Sequence, residues 1–128
     1  MRYLACLGVG LFVGLLCALM AIGLLRPRDP YPRAMMNVMK HALGEARAAA
    51  GSGCAGNGQR LQLLDGLAGD LEPVFVPGGE GDRVFARYAH ALRSRIAAAS
   101  ALPENCPAQA EALTAIDNAC QDCHRDYR

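Results

Sequence analysis

The last turns of the chain carry its most reactive group of side chains, Cys120-Gln121-Asp122-Cys123-His124. C-x-x-C-H is the spacing at which c-type haem is attached. On a helix, positions i, i+3 and i+4 share one face, so both thiols can meet the two vinyl groups while the imidazole reaches the iron. Cys120 and Cys123 would then form thioethers, with His124 as the proximal iron ligand. Two other chemistries use cysteines at this spacing. A zinc site needs further ligands nearby, and the chain has no second C-x-x-C and no H-x-x-x-H. A thioredoxin-type dithiol belongs at a βα junction, and no strand pattern is present. One covalent haem c is the expected cofactor.

The elements that must position these residues read as helices. The chain has 128 residues, 52% of them hydrophobic and 5% aromatic, with no Trp. Abundant Ala and Leu with few β-branched residues favour helix over strand. Residues 3–25 carry no charge and as a helix would rise about 34 Å, so a single transmembrane anchor is expected over residues 1–25. An uncleaved or cleaved signal segment is the alternative. Within it, Gly10, Gly14 and Ala18 share a face suited to another helix, and Cys6 and Cys17 read as small apolar residues. Three prolines at 27, 30 and 32 make residues 26–32 a stiff linker. Residues 33–128 then show four amphipathic segments. The first spans about 34–50 and the second about 59–71. Pro73 to Gly81 reads as a loop. Asp82 caps the third segment, which Pro103 ends, and Asn105 or Cys106 with Pro107 opens the fourth. Short connections imply an up-down-up-down four-helix bundle. In that topology the haem motif lies at the end where the anchor enters.

The ending Ala119-Cys120-Gln121-Asp122-Cys123-His124-Arg125-Asp126-Tyr127-Arg128 resembles the class II c-type cytochromes (cytochrome c′ and cytochrome c556), whose chains close A-C-x-x-C-H-x-x-Y-R. The resemblance covers residues 31–128 and implies a four-helix bundle. In that family the first helix reads R-x-x-x-[distal]-x-x-M-x-x-x-M-G. Placing Gly44 on the final glycine puts Met36 on the distal position, with Met39 and Met35 as alternatives, and leaves Arg33 as the candidate propionate contact. His41 and His90 are the remaining nitrogen donors, although His41 lies about 140° round the helix from Met36. A His/Met shell gives low-spin iron with a raised potential.

The expected function is single-electron transfer, with no enzymatic turnover, between redox proteins in or at a bacterial inner membrane, the haem domain lying in the periplasm. A homodimer, or a subunit of a larger respiratory or photosynthetic complex, are the assemblies left open. The alternative is a five-coordinate protein that binds NO or CO. Lys plus Arg number 13 against 12 Asp plus Glu, which removes the basic stripe a nucleic-acid partner needs. Cys54 and Cys106 fall in the two connections opposite the haem, where a disulfide is expected in an oxidising compartment.

Overall fold

The computed structural model describes the backbone of residues 2–25, 30–78, 81–102 and 106–127, and the side chains of these except 2, 4–6, 24 and 25. Most of the expected linker, the Cys6 side chain, Pro103, Asn105 and Arg128 lie outside the described residues. The chain divides into two compact units, Met1–Pro30 and Tyr31–Arg128.

The first unit is helix α1, Arg2–Leu25. Its described side chains are exposed, among them Leu11, Phe12, Leu15 and Leu19. Among the described residues no helix is long and apolar enough to cross a membrane. Gly8, Gly10, Gly14 and Gly23 dilute the apolarity of α1. The transmembrane anchor is therefore corrected to an exposed apolar helix. The single-pass inner-membrane and periplasmic placement, and a haem close to a lipid surface, fall with it.

The second unit holds α2 (Tyr31–Ala50), α3 (Asn57–Gly69), α4 (Leu71–Phe75), α5 (Arg83–Ser100) and α6 (Cys106–Asp126). Four long helices close a ring in which α2 packs on α3 and α6, and α5 on α3 and α6. Each contributes one buried stripe. On α2 it is Met35, Met39, Ala42, Leu43 and Ala46, and on α5 it is Phe85, Ala89, Leu92, Ile96 and Ala99. Leu61, Leu64 and Ala68 of α3 meet Leu113, Ile116 and Ala119 of α6 in the same core. The recurring alanines let backbones approach closely, while the leucines and isoleucines supply most of the apolar area removed from water.

The ends of the helices have local causes. Asp82 accepts hydrogen bonds from the backbone N–H of Val84 at 2.9 Å and of Phe85 at 3.2 Å, which satisfies two donors of the first turn of α5. The α2–α3 turn runs through Gly53 (φ 112°) and Cys54 (φ 60°). Cys54 is the residue that bears the strain, since its Cβ disfavours that region. Cys54 and Cys106 are joined by a disulfide with Cα atoms 5.6 Å apart, so the turn is stapled to the first residue of α6. Beside it, Asn57 donates to Gln109 at 3.1 Å, a buried polar pair linking α3 to α6.

The stretch after α3 departs from the expected loop. Leu71–Phe75 is helical because Leu71 is buried and Val74 and Phe75 pack on the core. Pro73 is its third residue, where the first turn leaves its N–H groups without intrahelical partners and the missing donor costs nothing.

Candidate functional site

The end of α6 is held in place from α5. Tyr127 donates its hydroxyl to the Asp82 carboxylate and stacks edge-on against Phe85 (5.4 Å) and Tyr88 (6.2 Å). Tyr88 in turn donates to Asp126 at 2.5 Å. The N-cap of α5 thus doubles as the anchor of the C-terminal turn. The Tyr127 hydrogen bond, then the one from the Phe85 N–H, holds the Asp82 carboxyl below its ordinary value. The same bond pushes Tyr127 up to about 12.

This anchoring sets Cys120, Cys123 and His124 along one cavity of about 530 Å³. Its floor is apolar, built from Leu43 of α2, Leu64 of α3, Leu92 and Ile96 of α5, and Ile116 of α6. Met36 and Met39 of α2 line it as well. Burial, then the nearby Asp117 charge, pushes the Cys120 thiol up to about 11. Burial, then Asp126, also raises Cys123. Both are therefore neutral thiols at ordinary pH. A redox dithiol needs the opposite, a lowered pKa.

Several site residues inferred from the sequence come together here and others do not. Cys120, Cys123, His124, Met36 and Met39 share the cavity. Met35 is buried in the core and is not among the cavity-lining residues. Arg33, His41 and His90 are exposed and off the cavity, so neither histidine opposes His124 and Arg33 is not the residue at the rim. A one-residue step rotates a side chain by about 100°, which is why Met35 and Met36 part company.

The rim holds residues to which the sequence assigned no place in the site, Gly44 having served there only to set the register. Lys40, Gly44 and Arg47 lie on the cavity side of α2, and Asp117 and Gln121 on that of α6. Arg47 bridges to Asp117 at 3.1 Å across the two helices, and Gln121 donates to the same carboxylate at 2.9 Å. The signal for the α2 set was present in its spacing, four, eight and eleven residues beyond Met36, one helical face.

Among the described residues no group of three or more His, Cys, Asp or Glu side chains is arranged to hold a metal ion. The expected metal-binding character is corrected accordingly: the described residues offer no cluster of their own for a bare ion. Iron enclosed in a porphyrin is a different demand. It needs an apolar slot, two thiols and one axial donor. A cavity of this size lies within the range of organic-ligand sites, and its donor set matches that demand. The residues fit the group. No family model, no characterised protein and no solved structure matches the chain.

Proposed function

We propose that the chain is a single-haem c-type cytochrome that passes one electron at a time between protein redox partners. The observation that supports this reading is one cavity bordered by Cys120, Cys123 and His124 on α6 and by Met36 and Met39 on α2. A covalently held haem would supply an iron that alternates between ferric and ferrous states. Cys120 and Cys123 would hold it as thioethers, each S–H adding across a vinyl double bond so that a C–S bond forms and the hydrogen goes to the neighbouring carbon. His124, which lines the same cavity, would offer an imidazole nitrogen to its iron. A thioether from α2 would be the second protein donor, with half-buried Met36 the first candidate and buried Met39 the second. The leucine and isoleucine floor keeps the slot apolar, an environment that would favour a raised potential in a bound haem. Among the described residues lining the slot, His124 is the one histidine and Asp117 the one carboxylate, already bridged to Arg47, so no pair stands ready for acid–base turnover and the proposed role is that of a carrier.

The test is expression of the full chain in a host that attaches haem c, followed by intact mass and optical spectra with and without CO. One haem per chain, absent in Cys120→Ala/Cys123→Ala, with a low-spin ferrous form inert to CO, is the expected result. A chain that takes no haem overturns the proposal. A high-spin ferrous form that binds CO rapidly overturns electron transfer in favour of NO or CO binding.

A further inference from the structure

The cavity is apolar within and charged at one rim, and that rim is unevenly satisfied. Of its two α2 cations, Arg47 is engaged by Asp117, whereas Lys40 has no hydrogen bond or ion pair among the described residues. Between them stands Gly44, three residues from Arg47 and four from Lys40, so that all three line one wall. A glycine inside a long helix weakens it relative to alanine. Nothing in the protein calls for one here: Gly44 has no positive φ, and a Cβ on it would meet no atom within 4 Å. A group seated in the slot would meet that Cβ. The wall therefore offers bare helix backbone flanked by an unpartnered ammonium and a braced guanidinium, above a floor of leucine and isoleucine. Its complement is a flat apolar ring with an anionic edge.

We infer that the α2 rim of Lys40, Gly44 and Arg47 seats the carboxylate-bearing edge of the tetrapyrrole. Lys40 supplies the free charge, Gly44 lets the ring edge lie against the helix, and the Arg47–Asp117 bridge holds α2 to α6 beside it. The inference rests on the haem reading and assigns to Lys40 the contact that the family resemblance assigned to Arg33. Lys40 is a positioning residue. As an ammonium on the cavity wall it would favour the ferrous state, which carries one positive charge fewer, and would stabilise ionised carboxylates beside it.

The experiment is a spectroscopic redox titration of the haem-loaded full chain from pH 5 to 9, comparing wild type, Lys40→Gln and Arg33→Gln. In Lys40→Gln the potential falls, and the inflection from carboxylate ionisation moves to higher pH. Arg33→Gln, exposed and off the cavity, superimposes on wild type. A Lys40→Gln curve that superimposes on wild type overturns the inference and leaves the haem reading standing. A wild-type chain that takes up no haem overturns the haem reading, and this inference with it. Gly44→Ala adds an independent arm. Its haem-free melting temperature rises while the fraction of chain that takes up haem drops. Undiminished loading overturns the seat assigned to Gly44.

Discussion

Removing the Cys54–Cys106 bridge, through Cys54→Ala/Cys106→Ala, tests how the bundle is stabilised away from its cavity. The bridge closes a loop with a sequence separation of 52. In the chain-entropy description, cross-linking a loop of that length removes denatured-state entropy worth about 4 kcal/mol at room temperature. That figure is an upper bound, because residual structure in the unfolded chain reduces it. Alanine keeps a Cβ at residue 54, so the positive-φ cost there is common to both forms and only the cross-link differs. Against the roughly 5–15 kcal/mol that stabilises a typical domain, the loss is a large fraction. With a urea slope of about 1.5 kcal/mol/M, the unfolding midpoint falls by up to about 2.5 M. The slope itself steepens, since the unbridged chain exposes more surface when unfolded. The haem site is spared: α6 carries Cys106 and Cys120 about 21 Å apart along its axis, so optical spectra of the loaded protein stay unchanged. The assay is urea unfolding followed by far-ultraviolet circular dichroism, with dithiothreitol-treated wild type as a second comparison. A midpoint within about 0.3 M of wild type would refute the reasoning.

The Asp82–Tyr127 contact gives the fold two pH limits. The lowered Asp82 carboxyl stabilises above the ordinary carboxylate range, and this is lost as pH falls through its lowered value. The raised Tyr127 phenol stabilises below its ordinary value of 10.0, and this is lost as pH rises through about 12. Melting temperatures across pH should therefore show a shallower fall at both extremes in Tyr127→Phe than in wild type; parallel curves count against the contact. The buried pair Asn57 and Gln109, in which Asn57 Oδ1 has no protein partner, should behave asymmetrically. Gln109→Leu alone costs about 1–3 kcal/mol by orphaning Asn57, whereas Asn57→Leu/Gln109→Leu is close to neutral, as a double-mutant cycle in urea would report. Met36→Ala should convert the loaded protein to a high-spin form that binds CO, while Met39→Ala keeps the low-spin spectrum at lower stability; the reverse outcome assigns the axial thioether to Met39.

What the sequence by itself determined is what local spacing determines. Cys120, Cys123 and His124 share a face because one helical turn puts them there, whatever else the chain does. Asp82 caps α5 through bonds to residues two and three places on, and Cys54 stands in the α2–α3 connection and Cys106 at the start of α6, both marked out by turn residues. The tertiary structure decided everything that depends on what lies opposite. Met35, Met36 and Met39 fit an apolar stripe about equally well, and only the placement of α6 and α5 sends Met35 into the core and Met36 and Met39 to the cavity. Arg33 and Lys40 are both α2 cations, and the rotation of that helix leaves Arg33 outside and Lys40 at the rim. Pro73 reads as a loop residue until Leu71 and Phe75 find a core to pack on. The uncharged run of α1 reads as a span, whereas among the described residues no helix is long and apolar enough to cross a membrane. Helical periodicity fixes which residues share a face, and only packing against other helices fixes where that face points.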